Sequence, residues 1–246
     1  MILMYHNINL RTGFNTVALN NFIQQIKFLQ RQDYRIISLQ SYVEHIKTRR
    51  PINNNLVITF DDAYIGFMEH AFPILKEFNI PATLFVPTKF VGGYNEWDQH
   101  LTDERLPVMT WTALKKVSSE LVTIGSHGHS HRSLSTLAKN EIDFEVCESK
   151  RLIKENIGIG IEYFSYPYGQ HKHFNDMVIE TLKKAEYKAA CSTNWHKFNS
   201  TGSLFKLNRL EIEPEDTLES FSKKINKNFH IKYFKQVVKN ILSPLK

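Results

Sequence analysis

Short apolar runs separated by longer amphipathic stretches are the feature that most limits what this chain can become. The runs are Ile2–Tyr5, Arg35–Ile37, Leu56–Phe60, Ala82–Val86, Val122–Ile124, Tyr163–Tyr166, Ala189–Ser192 and Phe205–Ile212. Between them, helical spacing links Phe22, Ile26 and Leu29, then Phe67, Ala71, Ile74 and Leu75. It returns in Ile142, Val146 and Ile153, and in Met177, Val178 and Leu182. Strands joined by helical crossovers form a mainly parallel sheet, and this many of them close into a (β/α) barrel. With no internal repeat and no Gly/Ser linker, residues 1–246 read as a single α/β domain with a basic helical tail from about 217 to 246. Val91 to Pro107 contains Gly92-Gly93 and little periodicity, which predicts a long loop over one barrel end.

A composition of 42% hydrophobic and 23% charged residues excludes disorder, collagen and low-complexity scaffolds. Cys147 and Cys191 exclude a disulfide framework and read as small buried apolar residues. The opening run Met1-Ile2-Leu3-Met4-Tyr5 is too short for a signal-peptide core and has no basic segment ahead of it. No stretch approaches the roughly eighteen apolar residues that cross a bilayer. The expected location is therefore cytoplasmic or peripheral to the inner membrane face, or exported if a leader has been removed.

The formal charge of +6 is concentrated in the tail, which carries Lys223, Lys224, Lys227, Lys232, Lys235, Lys239 and Lys246 without an acid after Ser220. Interleaved Phe221, Ile225, Phe229, Phe234, Val237, Val238 and Ile241 predict at least one amphipathic helix. It either packs on the barrel as a solvated face or makes peripheral contact with an anionic membrane. No nucleic-acid motif accompanies it, so no nucleic-acid partner is expected.

Chemistry concentrates at two strand ends, where ligands bind in parallel α/β folds. The run Leu56-Val57-Ile58-Thr59-Phe60 ends in Asp61-Asp62. Adjacent carboxylates suit a cation or strong donors, and equally suit a helix N-cap. The second strand runs into Gly125-Ser126-His127-Gly128-His129-Ser130-His131. A four-residue spacing puts His127 and His131 on one side of a helical turn, with His129 pointing away. One carboxylate and two imidazoles make a catalytic zinc ligand set with water in fourth place, and the other carboxylate is free to act as a base.

These residues, with Ile80-Pro81-Ala82-Thr83-Leu84-Phe85-Val86, Met109-Thr110-Trp111 and Phe164-Ser165-Tyr166-Pro167-Tyr168-Gly169, resemble the polysaccharide deacetylases of the NodB-homology type, carbohydrate esterase family 4. The resemblance runs from about Met1 to Ile212. It implies a distorted, seven-stranded (β/α) barrel that removes acetyl groups from N-acetylated sugars with one divalent metal, zinc first, cobalt or nickel also suiting the donors. By the same resemblance Asp61 is the general base, and Asp62, His127 and His131 are the metal ligands. Tyr168 lends its backbone N–H to the oxyanion, and Pro167 and Tyr168 line the sugar groove.

Departures from the family pattern are as informative. Ser165 stands where the family has an Arg, and Leu207-Asn208-Arg209-Leu210 lacks the family's C-terminal acid His. The segment Thr193-Asn194-Trp195 does not reproduce the acidic motif that orients that His. Met4-Tyr5-His6 resembles the opening of a permuted branch that includes the poly-N-acetylglucosamine deacetylases. This implies His6 as the acid and Arg209 as the replacement that orients Asp61. The expected substrate is an N-acetylated sugar in a polymer or a lipid-linked envelope-glycan precursor. The alternatives are an O-acetyl esterase and a glycan-binding protein with impaired catalysis.

Overall fold

The computed structural model describes residues 1–226 apart from 33, 53, 120 and 196–198. The chain begins with β1 (Ile2–Tyr5), β2 (Asn7–Asn9), β3 (Thr16–Ala18) and α1 (Leu19–Arg31). Next come β4 (Arg35–Ile36), α2 (Leu39–Lys47), β5 (Asn55–Phe60), α3 (Phe72–Glu77) and β6 (Ala82–Val86). They lead to α4 (Trp111–Val117), β7 (Val122–Ser126), α5 (Lys139–Ile157), β8 (Tyr163–Ser165) and α6 (Asp176–Lys184). The remainder is β9 (Ala189–Cys191), β10 (Leu210–Glu211) and α7 (Leu218–Asn226).

The main sheet is a curled parallel array in the order β10-β1-β5-β6-β7-β8-β9, with β4 paired to the start of β5. Its two edges are joined by one extended segment. Leu207 bridges Cys191 at the end of β9, and three residues later Leu210 pairs with Leu3 of β1. The result is the (β/α) barrel that the pattern of runs predicts, in the distorted seven-stranded form that the family resemblance implies.

Alternation along each strand divides the apolar residues between two cores. Leu56, Ile58 and Phe60 face the surrounding helices, where they meet Phe22, Phe67, Leu84 and Ile124. Ile2, Val57, Phe85, Tyr163, Ala189, Cys191 and Leu207 fill the barrel interior, with Leu39, Tyr42, Val43 and Ile46 of α2 packed against them. Interior space is tight: a Cβ on Gly125 would come within 2.6 Å of the Phe85 ring, so β7 can pass Phe85 only with glycine there. Above this apolar plug the inward positions become polar, from Thr59 to Asp61 and at Ser165 and Arg209, all buried.

Several elements differ from the sequence expectations. The run Phe205–Ile212 is a strand only at Leu210–Glu211, because its first half turns to serve β9 before reaching β1. Helices α2 and α4 and the small β2–β3 sheet are additions to the expected elements. Cys191 is buried, but Cys147 is exposed on α5. In the tail, α7 packs Phe221 edge-on to Phe28 of α1, at 6.0 Å between ring centroids. Lys224 is not on a solvated face: it is buried and paired with Asp216 and Glu213. The tail's other expected helical positions, including Lys227, Lys232, Lys235, Lys239, Lys246, Phe229, Phe234, Val237, Val238 and Ile241, lie outside the described residues. No helix among the described residues is long and apolar enough to cross a membrane.

The loop from Val91 to Pro107 does cover one barrel end. It is held by a bridge between Tyr94 and Pro107 and by the Phe14 N–H donating to Glu104 Oε1 at 3.1 Å. A single 3-10 turn, Glu96–Asp98, carries Trp97 over the carboxyl ends of the strands.

Candidate active site

Asp61 leaves β5 pointing into the barrel mouth, where Arg209 meets it. The guanidinium is fully buried and uses all five of its N–H groups. Two go side by side to the Asp61 carboxylate, Nη1 to Oδ1 and Nη2 to Oδ2, both at 2.7 Å. The other three go to Ser192 O at 2.9 Å, Thr59 Oγ1 at 3.2 Å and Ser165 Oγ at 2.8 Å. Ser165 in turn donates to Asp61 Oδ2 at 3.1 Å. The small Ser165 side chain therefore leaves room for a guanidinium arriving from the closing segment. Burial alone would raise the Asp61 pKa, but the charge of Arg209 and its hydrogen bonds hold it well below the usual carboxylate range. Asp61 is thus ionised near neutral pH.

The helix-cap reading of the Asp61-Asp62 pair does not hold. Asp62 and Ala63 take φ of +70° and +51°, and the chain becomes helical only at Ile65. This left-handed turn aims Asp62 at the histidines. Nor do His127 and His131 sit on a helical turn: residues 127–131 form an irregular loop in which His131 has φ +54°. Both imidazoles nevertheless converge on one oxygen, with Asp62 Oδ1 3.4 Å from His127 Nε2 and 3.3 Å from His131 Nε2.

The protonation of His127 shows what this convergence means. Its Nδ1 lies 2.7 Å from the Ser165 carbonyl, which can only accept, so Nδ1 carries the hydrogen and Nε2 presents a bare lone pair. Burial, partly offset by the Asp61 charge, pushes His127 down to about 4, so the ring is neutral near pH 7. Asp62 Oδ1 is buried and has no hydrogen-bond partner. A carboxylate oxygen and a bare nitrogen facing each other at that distance repel, and burial of an unpaired charge is costly. A cation removes both penalties. One atom from each of Asp62, His127 and His131 lies within 4.8 Å of the others, so the donor set fits a single metal ion.

Around this centre, Trp97 lies against His131 at 4.6 Å and Tyr168 lies edge-on to it at 4.9 Å, ring to ring. Tyr168 is partly exposed at φ +60°, and its carbonyl accepts from Thr193 Oγ1 at 2.9 Å. Its N–H takes part in none of the loop's backbone hydrogen bonds. Pro167 packs beneath Gly128. His6 follows β1 directly, is half-buried, and is close enough for its charge to act on Asp61 and Asp62. His129 turns away, placing Nδ1 3.0 Å from Thr88 Oγ1. Trp97 and Asp98 are mouth groups absent from the expected site, although Glu96-Trp97-Asp98 is an acidic and aromatic cluster in an otherwise featureless loop. Asp98 is buried there, and burial together with the Asp62 charge pushes its carboxyl up to about 6.

Fold and site together define a (β/α) barrel whose mouth sets an Asp/His/His group that could hold a metal beside an arginine-held carboxylate. The chain belongs to the polysaccharide deacetylase family: the model of that family matches residues 48–190, more than half of its length. Asp61, Asp62, His127, His131, Pro167 and Tyr168 fall inside the match, while His6 and Arg209 fall outside it. A Bacillus subtilis protein named as a polysaccharide deacetylase is 25% identical over 214 residues, covering 87% of this chain and 71% of the relative. The poly-beta-1,6-N-acetyl-D-glucosamine N-deacetylase of Staphylococcus aureus is 27% identical over 221 residues, covering 88% and 74%. IcaB of Ammonifex degensii shares the fold, with a TM-score of 0.78 and 22% identity over 92% of this chain and 96% of that one.

Proposed function

We propose that this protein is a metal-dependent N-deacetylase acting on an N-acetylated sugar, in a polymer or in a lipid-linked envelope-glycan precursor. The observation that carries the reading is the meeting, in one buried mouth, of the Asp62, His127 and His131 donor set, with Asp62 Oδ1 lacking a hydrogen bond, and an Asp61 held ionised by Arg209. Similarity to a deacetylase of poly-beta-1,6-N-acetyl-D-glucosamine supports the substrate class.

A divalent ion held by Asp62, His127 and His131, zinc first among candidates, would supply Lewis-acid polarisation of the acetyl carbonyl and a more acidic water. The rest falls to the chain's own groups. Asp61 accepts the proton of the attacking water, with Arg209 fixing the carboxylate plane. The Tyr168 N–H donates to the developing oxyanion, while its ring and Pro167 flank the sugar. His6 returns a proton to the departing nitrogen, so that amide and water become amine and acetate. A membrane contact by the basic tail would bring the mouth to lipid-linked glycans.

The direct test is amine release from N-acetylglucosamine oligomers by purified protein. Release is expected, is abolished by a chelator, and is absent from His127→Ala together with the bound metal. Stoichiometric metal and normal turnover in His127→Ala would refute the ligand assignment.

His6 is tested by comparing two substrates. Amine expulsion needs an acid far more than expulsion of a nitrophenolate does. His6→Ala is expected to cut amide hydrolysis by roughly 10²–10³, in the lower part of the acid–base range. Hydrolysis of a nitrophenyl acetate should change little, with metal content intact. Equal losses on both substrates would make His6 a binding or structural residue.

A further inference from the structure

The loop that carries His127 and His131 has no regular structure of its own, so something else must hold it. Its carbonyls are taken by the chain after β6: the Thr88 N–H donates to Gly128 O at 3.3 Å and the Lys89 N–H to His129 O at 2.9 Å. Its amides are taken by α5. Glu145 Oε2 accepts the N–H groups of His129 at 2.9 Å and Ser130 at 2.8 Å, and its Oε1 accepts the Ser130 hydroxyl. One helical turn further on, Ser149 Oγ lies 2.7 Å from Ser126 Oγ, which accepts the Gly128 N–H at 3.0 Å. Glu145 and Ser149 are an i, i+4 pair on one face of α5, and both are buried.

Glu145 is an acid in the interior with no role in the reaction above. Its contacts are two successive backbone N–H groups and a hydroxyl, a concave anion site made by the ligand loop itself. Among the described residues no Lys, Arg or His forms an ion pair with it. Gly128 completes the fit: its φ is +76°, and a Cβ there would lie 3.4 Å from Glu145 Oε2 and 3.5 Å from Pro167. The carboxylate thus ties down the loop between two imidazoles that both face Asp62.

We propose that Glu145, backed by Ser149, is a positioning residue that pre-forms loop 127–131 for the metal. This rests on the reading that Asp62, His127 and His131 hold a divalent ion. It concerns affinity, because an ordered loop does not have to be organised when the ion arrives.

The test is zinc titration of chelator-stripped protein against a chromophoric competitor, with thermal unfolding of the same stripped samples alongside. Glu145→Ala is expected to weaken zinc binding by about 10–100-fold, the usual loss when a group supporting metal ligands is removed. Glu145→Asp, whose carboxylate is one methylene too short to span both amides, should also weaken it. Glu145→Gln keeps the acceptor and should restore affinity to within about threefold of the parent chain. If Glu145→Ala does not fold, the Asp and Gln variants decide the matter. Cobalt absorption bands should broaden or shift in the weakened variants and not in Glu145→Gln. Equal zinc affinity in all variants, or lost thermal stability with unchanged affinity, would overturn the inference while leaving the proposed function intact. Failure of the parent chain to bind zinc or cobalt would overturn the metal reading and this inference with it.

Discussion

Asp61→Asn is expected to bind its metal normally and to lose on the order of 10²–10⁴ in deacetylation rate, the usual worth of a general base. The substitution is nearly isosteric, so the new amide oxygen can still accept one Arg209 N–H and the mouth should keep its shape. What disappears is the acceptor for the water's proton. Metal content and turnover measured on the same preparation make the assignment decisive. Loss of metal with the substitution would exchange the roles of Asp61 and Asp62. Retained turnover would remove Asp61 from the chemistry altogether.

Arg209→Leu is expected to destabilise the fold by about 3–5 kcal/mol, the usual cost of removing one partner from a buried ion pair. Both groups are essentially without solvent contact, and Arg209 satisfies Asp61 through two parallel bonds. Without it, a carboxylate remains in the mouth with little besides Ser165 to compensate it. Arg209→Lys should recover only part of the loss, since an ammonium cannot match five bonds set in a plane. Urea unfolding of chelator-treated protein is the measurement. A difference below about 1 kcal/mol would mean that water reaches and screens Asp61, as at an exposed pair.

The legibility of this chain depended on distance along the sequence. The strands could be read because parallel strands between helices are apolar on both faces, which leaves unbroken runs such as Leu56–Phe60. Helix α2 was missed although Leu39, Tyr42, Val43 and Ile46 have helical spacing, because nine residues give barely two periods. Strands of two or three residues, such as β2, β3 and β10, have no period at all. Asp61-Asp62 and His127…His131 were visible as local pairs. Their geometry was not, because left-handed turns at Asp62 and His131, both non-glycine, leave no mark in composition. Arg209 meets Asp61 across 148 residues, so only a motif departure at Ser165 hinted at it. Glu145 lies on an amphipathic helix, where an acid reads as surface.

The segment from Leu207 to Leu210 joins the two edges of the barrel and carries Arg209 between them. Ring closure and neutralisation of the buried Asp61 carboxylate are therefore one event. It comes late: a ribosome must deliver most of the chain before the guanidinium exists, and until then Asp61 has no buried counter-charge. A nascent or truncated chain ending before Arg209 has every metal donor and the base in its sequence, yet it cannot assemble the mouth at low cost.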